Sequence, residues 1–492
     1  MNLLFENQKG IFTSIYFKIT LYLFSAFIYA HFSGLSLPDD GLRHIAFAAH
    51  SDVMHSWGEV FPHSLFFTNY DPWFVWHAII KAYLIFFPYE SVHIAINTTV
   101  LFFMMILLDR LFVKYSSLKE SPLVIFIILS IVLITSFRYI SVRPDLLSGL
   151  FLFSVLLLHR YTLLIFILTV LYSSSYYLFF LYTGSLGIVY ILLKEYKTLA
   201  ALFFGSLIGL AFQAYMGGED FFKTILYLLQ DQSLREGLDV REGLPLIDIL
   251  KKINYYLLVL IAWSISAIII YTNYNYFKRK HIPLLLLVMS PLWLAQIRYF
   301  LLLEPLFFLY LFLEMKTLLH LFFSRTILYY LYTFFHLIKS IQYKTIFILP
   351  ALFYSSFMFG YMMNKNDYST ILKDKEFYLN KKFDNTTILI NRLTLDIYYA
   401  LYLNPSIKFI PSCSVGWFEK NKKMKDIYVR MMKKEGITEE ELKKLLTFVD
   451  ADYYMHFFEN KKQILSFEKL KKLDIESSLI LDNRILFKNN DK

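Results

Sequence analysis

The sequence is poor in cysteine and in charge, and several common catalytic motifs are absent from it. Its single cysteine, Cys413, excludes an internal disulfide framework and a cysteine-rich metal site. No GxxxxGK[ST], GxGxxG or HExxH pattern occurs, so the sequence lacks the usual signatures of P-loop enzymes, dinucleotide-binding enzymes and zinc proteases. No internal repeat is visible. Charged residues make up only 18% of the 492 positions, below the ~25% typical of soluble domains.

Long apolar runs take the place of those features. Hydrophobic residues make up 57% of the chain and aromatic residues 19%, which is typical of a polytopic membrane protein. Since a spanning helix needs about 20 apolar residues, the runs predict an all-α membrane region of about eleven transmembrane helices. The first is a retained helix from Ile11 to about Phe32, and the others begin near Ser91, Ser121, Leu146, Tyr161, Tyr177, Thr198, Ile253, Ile282, Tyr299 and Thr345.

The net charge of +10 is read as a topology signal rather than as a nucleic-acid footprint. With the N-terminus in the cytoplasm, the basic clusters all fall in inside loops, as the positive-inside rule requires. These clusters are Arg110 to Lys119, His159-Arg160, Lys194 to Lys197, Lys278 to Lys280 and Lys316 to Lys344. The layout requires that the short run from Trp73 to Phe87 lies at the interface or re-enters without crossing.

The composition changes after residue 363, which predicts a membrane domain at residues 1-363 and an extracytoplasmic α/β domain at 364-492. Thr438 and Glu441 form a capping box at a helix start. Two short apolar segments around Asp482-Asn483 predict a hairpin. Strands at Thr386 to Leu393 and Ile407 to Ile410 and a helix at Leu395 to Leu403 are also predicted. No nucleophile or metal cluster is visible in this domain, which favours a packing or acceptor-positioning role.

Polar residues gather in the segments that this layout places outside. The first outer loop, residues 33-90, opens with Leu37-Pro38-Asp39-Asp40-Gly41-Leu42-Arg43-His44. Adjacent carboxylates and a basic pair at the edge of a membrane region are costly to place near hydrocarbon, so they indicate a functional site. Other outer positions carry Asp71, Arg143, Asp145 and Arg298.

The Asp39 to His44 segment, followed by Asn69-Tyr70-Asp71-Pro72-Trp73 and His77, resembles the first outer loop of GT-C integral-membrane glycosyltransferases. Arg143-Pro144-Asp145 is similar to an Arg-Pro-Asp/Glu element of that superfamily, and the stretch from Tyr399 through Phe418 is similar to the C-terminal domain of bacterial members. The resemblance implies transfer of a sugar from a polyprenyl-phosphate donor. The Trp-Trp-Asp motif of oligosaccharyltransferases is absent, so transfer to protein sequons is not expected.

The resemblance and the chemistry together assign roles. An acceptor hydroxyl attacks the sugar better when a carboxylate removes its proton, and Asp40 matches the family position of that base, with Asp39 as the alternative. The leaving phosphate requires fixed cations, and guanidinium groups suit its oxygens. The expected substrate- and phosphate-binding residues are Arg43, His44, Asp71, Arg143, Asp145 and Arg298.

Purely structural roles for these residues are the alternative interpretation. Asp39 and Asp40 could cap a helix, as could Asp145, and Arg143 could reach from a helix end to the interface. No cofactor is certain; a divalent cation, Mg²⁺ or Mn²⁺, held by Asp40 and Asp71 is the favoured metal. A zinc cluster is less favoured, because the spacing does not place its histidines on one helix face; these are His44, His50, His55 and His63.

The expected function is therefore transfer of one sugar to a lipid, glycan or protein acceptor on the outer face of a membrane, the inner membrane if the cell is bacterial. A flippase for lipid-linked glycans is the alternative from another class. It would place ionisable residues at mid-membrane in paired broken helices. An inactive membrane scaffold is a third reading, and it would tolerate neutralising Asp40.

Overall fold

The computed structural model describes most of the first half of the chain and a large part of the C-terminal region. The described residues are 15–33, 41–50, 71, 73–88, 91–115, 122–135, 142–230, 268, 270–271, 280–295, 302–314, 381–390, 403–404, 406–410, 422–433, 437–457, 477–481 and 484–488. Most of these residues are helical, and the described strands all lie after residue 386.

Eleven helices are named here for the described residues before residue 315. They are α1 (Ile15–Ser33), α2 (Gly41–His50), α3 (Phe74–Phe86), α4 (Val92–Tyr115), α5 (Pro122–Thr135), α6 (Leu146–Leu158), α7 (Thr162–Ser175), α8 (Phe179–Leu193), α9 (Tyr196–Gln230), α10 (His281–Ala295) and α11 (residues 302–314). The apolar runs of the sequence account for most of them, and the predicted starts near Ser91 and Leu146 agree with the observed starts of α4 and α6. The runs predicted to begin near Ile253 and Thr345 fall largely or wholly outside the described residues.

Two helices in the described part are long and apolar enough to cross a membrane. They are Val92–Tyr115 and the stretch Tyr196–Glu219 of α9, judged by length and composition. The other apolar helices, such as Leu146–Leu158 and Thr162–Ser175, have between 10 and 17 residues. They are therefore shorter than the roughly 20 residues that a full span requires.

The chain divides into two compact units. The helical unit consists of Met1–Leu35, Ile85–Phe212 and Val240–Lys365, and the mixed unit consists of Ser36–Leu84, Gln213–Asp239 and Asn366–Lys492. The first outer loop of the sequence analysis thus belongs mostly to the same unit as the C-terminal residues. The domain boundary predicted between residues 363 and 364 stays a prediction.

Close helix contacts build the core of the helical unit. Helix α1 packs on α4, α4 also packs on α5 and α6, and α8 packs on α10. Glycines at positions 205 and 209 of α9 lie directly against α7, where Ser173 Oγ donates a hydrogen bond to the Gly205 carbonyl over 3.1 Å. Small residues spaced by four allow two helix backbones to approach closely.

The C-terminal part of the mixed unit contains a five-stranded sheet. Its strands are β1 (Thr387–Ile390), β2 (Lys408–Ile410), β3 (Tyr453–Phe457), β4 (Ser477–Leu481) and β5 (Arg484–Lys488), in the spatial order β2-β1-β3-β5-β4. Strand β1 is parallel to β2 and β3, while β5 is antiparallel to β3 and β4. Two helices accompany the sheet and pack on each other, α12 (Lys422–Lys433) and α13 (Glu439–Phe448).

Several local predictions for this region are confirmed. Thr438 accepts a hydrogen bond from the Glu441 backbone N–H, and the Glu441 side chain accepts one from the Thr438 backbone N–H, which completes the capping box of α13. Strands β4 and β5 pair as the predicted hairpin. Strands are found at both other predicted positions, and the last three residues of the first predicted strand, 391–393, lie outside the described residues. The predicted helix at Leu395 to Leu403 lies almost wholly outside the described residues.

Candidate functional site

The structure places the predicted site residues in three groups. Asp39, Asp40 and Arg298 lie outside the described residues. Arg43, His44 and Asp71 belong to the mixed unit, whereas Arg143 and Asp145 belong to the helical unit.

A chain of three buried side chains links α2 to the start of α3. Nδ1 of His44 lies 2.7 Å from Nε2 of His77, and Nδ1 of His77 lies 2.6 Å from Oδ2 of Asp71. The second carboxylate oxygen of Asp71 accepts the backbone N–H of Trp73 over 2.9 Å. The structure thus brings together two predicted residues, His44 and Asp71, through a third, His77.

Local sequence explains how α3 presents this chain. Asp71 precedes the helix, and its side chain bonds the Trp73 backbone N–H where helical amides lack intrahelical partners. The Trp73 carbonyl accepts the backbone N–H of His77 over 3.0 Å, so His77 lies one turn into the helical path. The imidazole of His77 therefore faces back toward the carboxylate of Asp71.

Aromatic side chains enclose the two imidazoles. The ring of Trp73 meets His44 edge-on at 5.1 Å, and the ring of Phe47 lies 4.4 Å from that of His77. His77 is 0% exposed, His44 2% and Asp71 6%. Burial weakens the competition from water, so hydrogen bonds along the chain are electrostatically stronger than they would be at a surface.

The order of the three hydrogen-bonded side chains, Asp71, His77 and His44, determines their chemistry. An ionised carboxylate only accepts hydrogen bonds, so Asp71 holds the proton of His77 on Nδ1. Nε2 of a neutral His77 is then an acceptor for the Nδ1 proton of His44. This aspartate–imidazole–imidazole arrangement fixes the orientation of both rings and connects His44 to the carboxylate of Asp71 through two hydrogen bonds, which is the geometry of a proton relay.

His77 belongs to the motif that resembles the GT-C loop, but the sequence predicts no role for it. A signal was present, because an aspartate directly before a helix and a histidine one turn inside it come close together. The pairing of His77 with His44 carried no such local signal. Arg43, the neighbour of His44 on α2, is also buried, at 6% exposure.

The metal predictions for this loop stay predictions. The Mg²⁺ or Mn²⁺ pair needs Asp40, which lies outside the described residues together with His55 and His63 of the zinc alternative. Asp71 uses one carboxylate oxygen for Trp73 and the other for His77. A cation at Asp71 would therefore share these oxygens with the two hydrogen bonds.

Arg143 and Asp145 directly precede α6 in the helical unit. Asp145 occupies the N-cap position, yet its side chain makes no capping hydrogen bond and it is buried. The capping alternative therefore does not explain the carboxylate of Asp145. Val142, just before Arg143, has a φ of 48°, a left-handed conformation that strains a β-branched residue.

A tyrosine cluster lies close to this helix start. Ser148, on the first turn of α6, shares a hydrogen bond of 2.7 Å with the hydroxyl of Tyr172, whose ring stacks on Phe151 at 4.3 Å. Tyr176 and Tyr182 lie 6.2 Å and 6.4 Å from the Tyr172 ring. Aromatic and hydroxyl groups therefore accompany the Arg-Pro-Asp element.

The chain matches no protein-family model and no curated protein.

Proposed function

We propose that this protein is a membrane glycosyltransferase of the GT-C type, which moves one sugar from a polyprenyl-phosphate donor to a hydroxyl acceptor. The acceptor is a lipid, a glycan or a protein, and the reaction takes place at the outer face of the membrane. The observation that carries the proposal is the buried chain of His44, His77 and Asp71 in the segment that contains the Asp39-Asp40 motif.

The three hydrogen-bonded side chains His44, His77 and Asp71 suit the proton transfer that accompanies glycosyl transfer. As the sugar leaves its phosphate, the acceptor hydroxyl must lose a proton, and a positioned base contributes roughly 10²- to 10⁴-fold to such a step. We assign Asp40 as the base that contacts the acceptor. In the sequence Asp40 stands directly before α2 and four residues before His44. The three hydrogen-bonded residues His44, His77 and Asp71 are the groups that we propose to receive the proton from Asp40.

Cations for the leaving phosphate are a further requirement of the proposed reaction. Arg43 is the candidate next to His44, while Arg143 and Arg298 are the candidates that follow from the family resemblance. Arg143 comes two residues before the buried Asp145 in the sequence, just ahead of α6, and Ser148 on α6 hydrogen-bonds the hydroxyl of Tyr172. Guanidinium groups bind phosphate oxygens in pairs, which would hold the donor while the sugar departs.

The proposed membrane layout has about eleven spans, with the N-terminus inside. In this layout successive helices cross the membrane in alternating directions. Contacts between residues at helix ends support it, because residues that the layout assigns to the cytoplasmic side also contact one another in the structure. Lys114 at the end of α4 contacts His159 after α6 over 2.7 Å, and Glu195 after α8 contacts His281 at the start of α10 over 2.8 Å. All four residues lie in or next to basic clusters assigned to the inside.

The test compares lipids that copurify with the wild-type protein and with Asp40→Asn in mild detergent, identified by mass spectrometry. The variant is expected to retain unreacted donor and so to be enriched in a polyprenyl-phosphate sugar. Asp426→Asn is the matched control, since Asp426 is an exposed carboxylate on α12 of the same unit. The control should carry the wild-type amount of lipid.

Two results would overturn the proposal. An intact lipid-linked oligosaccharide, bound equally to wild type and Asp40→Asn, would favour the flippase. Absence of any lipid-linked sugar from all three proteins would favour the inactive scaffold.

A further inference from the structure

A second cluster of polar side chains lies in the helical unit and has no part in the proposed reaction. It joins the ends of helices that are separate in sequence: His159 follows α6, Glu195 lies between α8 and α9, and His281 begins α10. One potential ligand atom from each residue lies within 4.8 Å of the other two. Nε2 of His281 is 2.8 Å from Oε1 of Glu195, and the rings of His159 and His281 are 4.5 Å apart.

The backbone holds these groups in place. Lys194 adopts a left-handed conformation with a φ of 61°, and the Glu195 N–H donates to the Tyr190 carbonyl over 2.9 Å, which closes the end of α8. Thr198 Oγ1 donates to the His159 carbonyl over 2.7 Å. Hydrogen bonds to their backbone groups therefore hold Glu195 and His159 in place.

Two imidazoles and one carboxylate are a donor set that binds divalent transition metals. Zinc sites with three protein ligands use this combination and leave a fourth position to water. Oxygen-preferring cations such as Mg²⁺ and Ca²⁺ are poorly matched, because two of the three donors are nitrogens. We infer that His159, Glu195 and His281 form a divalent transition-metal site that binds Zn²⁺ more tightly than Co²⁺.

A competing cation lies beside the site. Lys114 Nζ is 2.7 Å from Nδ1 of His159 and also donates to the carbonyls of Leu156 and Leu157, over 3.0 and 2.8 Å. An ammonium group at this distance repels a divalent ion and occupies a lone pair of His159. Metal binding therefore displaces this contact, and Lys114 lowers the affinity of the site.

The site would link the ends of α6, α8 and α10, which are far apart in sequence; His281 follows Glu195 by 86 positions. A ligand that binds only the folded protein stabilises it. Zn²⁺ is thus expected to raise the unfolding temperature of the helical unit. The inference does not depend on the proposed glycosyl transfer, since it uses no residue of that site.

The experiment is a titration of the full-length chain in detergent with Co²⁺, followed by its visible absorption, and competition with Zn²⁺. The wild-type protein should bind one ion per chain, and Zn²⁺ should displace Co²⁺. Glu195→Gln keeps the shape and a hydrogen bond to His281 but removes the anionic ligand. It should weaken Co²⁺ binding by at least about tenfold.

Glu314→Gln is the matched control. Glu314 is another carboxylate in the helical unit, and it pairs with Lys280 rather than with the three ligands. This variant should bind Co²⁺ with wild-type affinity. If Glu195→Gln does not fold, His281→Gln provides the same comparison, with an expected loss of similar size.

Lys114→Met tests the competition directly and should tighten Co²⁺ binding by about tenfold or more, because a repelling charge is removed. A network that serves only to join the helix ends would show no such gain. Three results would overturn the inference: no bound ion in the wild-type protein, equal affinity in wild type and both ligand variants, or no gain in Lys114→Met.

Discussion

Nδ1 of His44 lies 2.7 Å from Nε2 of His77. On its other side, the ring of His77 contacts the carboxylate of Asp71 through Nδ1. Both ring nitrogens of His77 and Nδ1 of His44 thereby take part in the contacts between the three residues. A proton added at either end changes the hydrogen bonds of the whole chain, so the three residues should act as one unit.

This unit leads to a prediction about transfer activity. His77→Asn and Asp71→Asn should each lower the rate of sugar transfer by roughly 10²-fold or more, because both break the path to His44. The double variant should lose little beyond the worse single variant, since residues that act together are not additive. The measurement is the initial rate with a polyprenyl-phosphate sugar, and independent losses that multiply would argue against a shared role.

The contact between α7 and α9 predicts a large effect of one added methyl group. A Cβ at Gly209 would overlap Ser173, reaching its Oγ and lying 2.5 Å from its Cβ and 2.8 Å from its carbonyl carbon. Gly209→Ala should therefore destabilise the protein by about 1–3 kcal/mol, because the helices must separate. Thermal unfolding in detergent provides the measurement.

Gly184→Ala on α8 is the matched control for this change. Nothing lies within 4 Å of a Cβ built at that position. Alanine is also the better helix former by about 1 kcal/mol. The control should thus unfold at the same temperature or a higher one, and equal destabilisation by both variants would contradict the close packing of α9 on α7.

A buried ion pair joins α1 to α4. Lys18 Nζ lies 3.5 Å from Oδ1 of Asp109, which also accepts a hydrogen bond from the hydroxyl of Tyr22 over 3.1 Å. Lys18→Met should destabilise the protein by about 3–5 kcal/mol, because it leaves a buried carboxylate without its counter-ion. Thermal unfolding of Lys18→Met and of the double variant Lys18→Met/Asp109→Asn compares the two cases.

The double variant should be the more stable of the two, since it removes both charges and keeps a hydrogen-bond acceptor for Tyr22. Tyr22→Phe should cost only about 1 kcal/mol. Equal stability of Lys18→Met and the double variant would show that the pair is not electrostatically coupled.

Because of His456 on β3, we expect the stability of the sheet to fall in acid. Burial lowers the pKa of His456 to about 4, and its Nδ1 lies 2.7 Å from the hydroxyl of Tyr454, which donates to the neutral ring. An unfolded histidine has a pKa of about 6.5, so between pH 6.5 and 4 the unfolded state binds a proton that the folded state does not. Stability contributed by the neutral ring is complete above pH 6.5 and declines as the pH falls toward 4.

From pH 7 to pH 5 this loss should amount to about 2 kcal/mol, or roughly a 30-fold rise in the opening of β3. Hydrogen exchange of the peptide Tyr453–Phe457, corrected for the intrinsic pH dependence, measures it. His456→Gln keeps an acceptor for Tyr454 but does not titrate in this range, so its opening should change little. Glu441 does not interfere, because its hydrogen bond from Arg430 lowers its pKa to about 2. A pH response that survives in His456→Gln would assign the effect to another group.

Local patterns made much of the helical fold and of the C-terminal elements predictable. A helix start depends on residues within a few positions of one another, so the apolar run near Ser91 indicated α4, and Thr438 with Glu441 indicated α13. The two residues around the hairpin turn, Asp482 and Asn483, likewise indicated the pairing of β4 with β5.

The sequence by itself thus determined the helical class, the small α/β region and several polar residues worth testing, because hydropathy and capping act over one or two turns. Only the tertiary structure decided that His77 stands between Asp71 and His44, and that His159, Glu195 and His281 meet. The ring of His44 comes from another helix, 33 positions before His77. Which distant side chains come together depends on how whole helices pack, and short sequence patterns do not contain that information.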